Sequence, residues 1–291
     1  MPERFEFQVT AKDHKKRLDE FLFAGFSHLS RMYLREIVRD EKCEVNGRWE
    51  NRGYLLKKND FVEVEVDRTR QTSLQPEPIP LEIIFEDSEI LVVNKPSGML
   101  VHPTIGVRSG TLLNALAYYL NFSAENSEIF KRAGLIHRLD KDTSGLILIS
   151  KTPHAHRILS SHFKKKLVEK RYFAFVEGIV KADSGTIDAP IGRYVEDRFW
   201  NIKADGKQSI TNFWVKHRFD DKTLLELEPV TGRTNQLRIH LAHIGHPILG
   251  DTKYGGREFS RLCLHAFRLS FWHPNGNRRL EFETDLPEAL K

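Results

Sequence analysis

The sequence predicts an α+β protein in two units, the larger built on a mixed, mainly antiparallel β-sheet flanked by helices and loops. Three observations carry this. Many short runs alternate apolar and polar residues, whereas helical periodicity is confined to a few segments. Strands and helices do not interleave regularly, as a doubly wound parallel sheet requires. Residues 69–80, "TRQTSLQPEPIP", hold three prolines and no apolar period. They read as an extended linker between a unit at 1–68 and one at 81–291.

In the first unit, "FEFQVT" alternates and reads as a strand. "KRLDEFLFAG" reads as a short helix closed by Gly25. "SHLSRMYLREIVRDEK" offers Ser30 as the N-cap of a second helix. Asn46–Gly47 in "CEVNGRWE" signals a hairpin, and "DFVEVEV" is a closing strand. Arg31, Arg35 and Arg39 are four apart, so they share a helix face. The row is either a solvated face, offset by Glu36 and Asp40, or a ladder of phosphate contacts.

In the second unit, Leu81–Phe85 and Ile90–Val93 flank an acidic turn and form a strand pair. "GTLLNALAYYL" and "KTPHAHRILSSHFKKK" are helical. Leu146–Ser150 is a buried strand; "KRYFAFVEGIV", "FWVKHRF", "TLLELEPV" and "RLSFWH" are further strands.

With 45 Lys and Arg against 40 Asp and Glu, the formal charge is +5. Residues 12–58 hold twelve of the former and eight of the latter, a net +4, so the basic bias sits in the first unit. That suits a polyanionic partner. Two cysteines, Cys43 and Cys263, make no disulfide framework, so a reducing cytoplasm is expected. No signal peptide or membrane-spanning segment is expected.

The chemistry concentrates in "GLIHRLDKDTSGLILISK", 134–151. His137, Arg138, Asp140, Lys141 and Asp142 crowd the mouth of a buried strand, where charge is costly unless paired. Asp140 with Asp142 could hold a metal, though nothing nearby completes an acidic cluster. Ser144, His137 and Asp140 could form a triad, though "DTSGL" is not the nucleophile elbow. A structural salt bridge is the plainest reading. A second cluster, "PVTGRTNQLRIHLAHIGHPILGD", carries His240, His243 and His246, but their spacing turns the rings around a helix. Arg238 lies between Leu237 and Ile239, so it is partly buried and needs an anion. Asp140 needs a cation. A buried Asp–Arg pair would hold a poorly hydrated carboxylate ready to attack or stabilise a sugar carbon.

Two resemblances add to this. "RLDEFL", "SRMYLREIVRD", "CEVNG" and "LLKKNDFVEVEV", across 14–67, resemble the S4 RNA-binding domain, with Asn59–Asp60 where Gly-Asp is common. "NKPSGMLVHP", "GLIHRLDKDTSGLILISKT", "EKRYFAFVEG", "TGRTNQLRIHL", "GHPILGD" and "LCLHAFRL", across 82–285, resemble the RluA-type pseudouridine synthases. The second resemblance implies an isomerase that flips a uridine out of folded RNA, detaches the base, turns it and rejoins it through carbon 5. No metal or organic cofactor is implied. Asp140 matches the catalytic aspartate and Arg238 its basic partner. Tyr172 matches the tyrosine that stacks on the flipped base and helps in proton removal. Arg138 matches the arginine that fills the vacated stack. Arg17, Arg31, Arg35 and Arg39 are the expected RNA contacts of the S4-like unit. The Lys164–Lys166 run, with Lys170 and Arg171, either holds phosphates or is a solvated face. Asn235 stands where the family usually has His. The expected partner is 23S-type ribosomal RNA or a pre-ribosomal particle, bound by a monomer. A tRNA-directed synthase and a non-catalytic assembly factor are the alternatives.

Overall fold

The computed structural model describes residues 2–26, 29, 31–67, 74–104, 106–122, 134–194, 199–276 and 278–290. The chain divides into Met1–Leu74 and Gln75–Lys291. Residues 69–73 of the expected linker, and Ser30, lie outside the described residues.

The first unit runs β1 (Glu3–Gln8), α1 (Leu18–Gly25), α2 (Arg31–Arg39), β2 (Cys43–Val45), β3 (Arg48–Trp49) and β4 (Phe61–Val66). The strands form one antiparallel sheet in the order β1-β4-β2-β3. Asn46 and Gly47 take φ of 53° and 72°, the paired positive values of a two-residue hairpin turn. Gly25 does not close α1; it sits in the last turn, and the N–H of Phe26 caps the carbonyl of Leu22. Leu18, Leu22, Leu34 and Ile37 bury one side of the helix pair with Val62 and Val64 of the sheet.

The second unit runs β5 (Glu82–Glu86), β6 (Ile90–Lys95), α3 (Leu112–Phe122), β7 (Gly134–Leu135), β8 (Ser144–Ser150), α4 (Pro153–Lys164), β9 (Glu169–Glu177), β10 (Ser184–Asp188), β11 (Ile191–Tyr194), β12 (Phe199–Ile202), β13 (Ile210–Arg218), β14 (Lys222–Pro229), α5 (Gln236–His243), β15 (Leu264–Trp272) and β16 (Arg279–Glu283). Its main sheet is ordered β10-β13-β14-β9-β15-β8-β6-β5, with β16 beside β15 and β7 beside β8. Among the described strands of this sheet, only β15 and β8 run parallel. The sheet is therefore mixed and mainly antiparallel, with few helices.

Every residue of β8 is buried. Leu146 and Leu148 join Ile90, Val92 and Leu159 of α4 in one core. Ile147 and Ile149 join Leu91, Val93 and Leu116 of α3 in the other. A strand covered on both faces needs no polar alternation, which is why 146–150 reads as one apolar run. Among the described residues, no helix is long and apolar enough to cross a membrane.

Candidate active site

Asp140 sits in the turn that feeds β8, where the N–H of Thr143 reaches its carbonyl at 3.3 Å. Lys95, at the end of β6, holds this turn from below. Its buried ammonium donates to the carbonyls of Pro96, Met99 and Lys141 at 2.7, 2.9 and 3.0 Å. Burial pushes the Lys95 pKa down to about 8, with Arg261 adding to the effect and Asp142 and Asp140 opposing it. Gly145 follows at φ 115°, packed against the Ala266 backbone. No other residue fits there, because a Cβ would lie 2.3 Å from the Ala266 carbonyl oxygen.

Arg238 enters from α5 with a side chain only 12% exposed. Its closest anion is not Asp140. The guanidinium grips Asp251 with two bonds, Nε at 2.7 Å and Nη2 at 2.6 Å. Asp251 is 1% exposed. The remaining nitrogen, Nη1, faces Asp140 at 3.9 Å. Burial works to lower the Arg238 pKa, but Asp251 and then Asp140 hold it above the ordinary arginine value. The expected Asp–Arg pair is thus a triad of charges with Arg238 at its centre. Asp251 is the member that sequence reasoning missed. It closes "GHPILGD", where one acidic residue in a loop gives no sign of its distant partner.

For Asp140, burial wins. Its pKa is raised, mainly by desolvation, against the pull of Arg238 and Arg138 and with a push from Asp251. The carboxylate is half-buried, with 24% of its side chain exposed, and only loosely paired.

Asn235 stands just ahead of α5 in the left-handed region, at φ 54°. Asn is among the residues that tolerate this conformation best. Its amide donates to the Tyr254 hydroxyl at 2.9 Å, and its oxygen accepts from Arg238 Nη1 at 3.4 Å. Tyr254 donates in turn to the Trp200 carbonyl at 3.1 Å, while its ring lies 5.0 Å from the Arg238 guanidinium carbon. Asn235 thus braces Arg238 without carrying charge.

Asp140, Arg138, Tyr172 and Arg238 line one cavity of about 930 Å³. Tyr172, on β9, is buried. Burial and the nearby charge of Asp140 push its phenol up, which keeps it protonated and opposes an early role as a base. Arg138 is exposed and makes no hydrogen bond or ion pair with any described residue. Asp142 is exposed too, and its carbonyl accepts from the Ser97 hydroxyl at 2.7 Å.

Other readings of these residues dissolve. Ser144 and His137 do not meet. Ser144 Oγ lies 2.8 Å from His265 Nδ1, and His137 Nε2 accepts the Leu148 N–H at 2.9 Å. His137 also stacks on Phe163 and is held neutral, its pKa pushed down to about 3 by burial and by Lys170. His240 bonds Thr211 and Ala189, whereas His246 bonds Glu177. Among the described residues no cluster of metal-ligating side chains forms. Arg171 is occupied by Glu169, Glu226 and Glu228 and lies over Trp214. In the first unit, Arg17 and Arg35 both hold the buried Asp19, and Arg39 holds Asp40. All three remain about half exposed; the Arg31 side chain lies outside the described residues.

Residues 89–243 match the family model for RNA pseudouridylate synthase. An uncharacterized RNA pseudouridine synthase of Bacillus subtilis is 41% identical, over 98% of this chain and 96% of its own length. Ribosomal large subunit pseudouridine synthase D of Vibrio cholerae is 35% identical, over 100% of this chain and 94% of its own. Among solved structures, human RNA pseudouridylate synthase domain containing 1 shares the fold at a TM-score of 0.60 and 28% identity, covering 73% of this chain and 86% of that one. The match takes in the Asp140 turn, β9 and α5 together, so this chain belongs to the RNA pseudouridylate synthase family.

Proposed function

We propose that this chain isomerises uridine to pseudouridine in large-subunit ribosomal RNA, with Asp140 as the attacking group. One observation carries the assignment of Asp140. It is a half-buried carboxylate, its side chain 24% exposed into the cleft, and the adjacent cation is already engaged by a second carboxylate. A tight ion pair would quench its nucleophilicity; a loose one leaves an electron-rich oxygen.

In this reading the target base is first flipped out of the stack, which costs a few kcal/mol. Arg138 occupies the gap, and its planar guanidinium recovers part of the stacking. Asp140 attacks the nucleotide as the bond between C1′ and N1 breaks. The uracil turns over Tyr172, and C5 bonds to C1′. The C5 proton leaves, N1, bare once its bond to C1′ is broken, takes up a proton, and the carboxylate is freed. Tyr172 supplies a flat face and a protonated hydroxyl during the turn. Arg238 tracks the charge on Asp140 without moving, because Asp251 fixes its other edge.

The ribosomal substrate rests on the named relatives together with the first unit. We read residues 14–67 as an S4-like RNA-binding module with Arg17, Arg35 and Arg39 toward phosphate. Asp19 is shared by two arginines, so it cancels only part of their charge.

Tritium release from RNA labelled at uridine C5 tests the proposal, since forming the new bond must expel that hydrogen. The intact protein should release tritium from large-subunit ribosomal RNA of cells lacking it, and Asp140→Ala should release none. Release by the variant at the wild-type rate would remove Asp140 from the mechanism.

A further inference from the structure

The cavity that holds Asp140 continues past the catalytic floor to a rim that the proposed chemistry does not use. Trp272 ends β15 and lines this cavity with 45% of its surface exposed. Phe271 beside it is fully buried, so strand alternation turns the indole away from the core. Trp272 makes no ring contact with any described residue. Around the same cavity stand Lys164 and Lys166, both exposed and without an ion-pair partner among the described residues, and Leu167, 49% exposed. Arg279 pairs with Trp272 across β15 and β16 and is fixed by Ser270 Oγ at 2.8 Å and Glu169 at 3.0 Å.

One exposed tryptophan is unremarkable on a protein surface. An unstacked indole in a cleft whose lining carries seven Lys or Arg against three Asp or Glu is a different object. It offers a flat apolar face with cations on either side, the combination that binds an unpaired nucleotide through base and phosphate together. A folded protein partner would need an apolar patch or acidic complement, whereas an RNA entering this cleft already brings phosphates to the rim.

We propose that Trp272 is a stacking platform for an unpaired nucleotide next to the flipped uridine, whose phosphates rest on Lys164 and Lys166. This rests on the reading of the cavity as the RNA cleft and adds a second nucleotide subsite to it. The subsite recognises unstacked RNA beside the target and so favours uridines in loops or bulges over those in continuous helix.

Single-turnover tritium release from a 5-tritiated transcript of large-subunit ribosomal RNA, titrated with protein, separates half-saturation from maximal rate. Trp272→Ala should raise the half-saturating concentration about five- to 150-fold, the loss of one stacked base. The rate at saturation should recover. Trp272→Phe, which keeps a flat face, should restore most of the affinity. Lys166 has φ of 58°, so Lys166→Asn removes the charge without straining the turn. It should flatten the slope of log affinity against log salt by about 0.7, one phosphate on a single strand. Unchanged half-saturation in Trp272→Ala overturns the proposal. So does a lower maximal rate with unchanged half-saturation, or a Phe variant no better than Ala. A wild-type protein silent on this transcript sinks the ribosomal assignment instead, and the same titration on total RNA from cells lacking the protein then decides the rim.

Discussion

Asp140 works against the stability of its own unit. Its folded pKa lies above the ordinary carboxylate value, so the folded state binds this proton more tightly than the unfolded chain. The resulting stabilisation is complete below the unfolded pKa and is lost as pH rises through the folded one. At neutral pH the ionised group is therefore a net cost. Asp140→Asn should abolish isomerisation yet raise stability at pH 7 by about 0.5–2 kcal/mol, the size usual for relaxing an active site. The gain should vanish in acid. Asp251→Ala should do the reverse and cost about 3–5 kcal/mol, because it leaves the Arg238 charge buried beside a partner 3.9 Å away. Urea melts of the two variants at pH 7 and pH 4 read both signs. Asp140, Arg238 and Tyr172 could be singled out because each sits inside a distinctive motif, and Arg238 also because its apolar neighbours imply burial. That the ion pair runs first through Asp251 was not legible. The approach of a loop thirteen residues downstream is a property of packing, and residue types do not report it.

Between β8 and β15 the sheet changes direction, and one glycine permits it. Gly145 combines φ of 115° with backbone contact at the parallel junction. Gly145→Ala would add both strain and overlap, at about 3–5 kcal/mol together. The expected result is loss of the β8–β15 pairing, seen as fast amide exchange in Ser144 and Gly145, ahead of any change in the first unit. Elements with both faces buried were easy to read: β6 and β8 appear as apolar runs. Strands β10, β11, β12 and β16 were not read, because they are short and half-exposed and gain their structure only from a neighbour's edge. Arg171 shows the same limit in a single side chain. In sequence it extends the Lys164–Lys166 run, but strand alternation places it among Glu169, Glu226 and Glu228.

At the scale of the molecule, acid should loosen the catalytic unit through two neutral histidines rather than through Asp140. His265 is buried and His137 half-buried at the cavity wall, and both are neutral, their pKa values pushed down to about 4 and about 3 mainly by burial. The unfolded chain protonates both near pH 6.5. Stability present above that value should therefore fall as pH drops toward 4, with each histidine adding about 1.4 kcal/mol per pH unit to the slope. His265→Gln should reduce that slope by one proton's worth, measured by urea melts from pH 7 to 4. The three prolines of the expected linker fall on the second unit's side of the Leu74–Gln75 boundary, and the low pKa values of two distant histidines were not legible in the sequence. Lys95 gives the unit a further property. Its ammonium is locked onto the carbonyls of Pro96 and Met99 and of Lys141 in the Asp140 turn, so an acylating reagent can reach it only when that turn or the 96–99 segment lets go. The rate at which Lys95 is labelled is then a clock for breathing of the cleft floor, and it can be read without any RNA present.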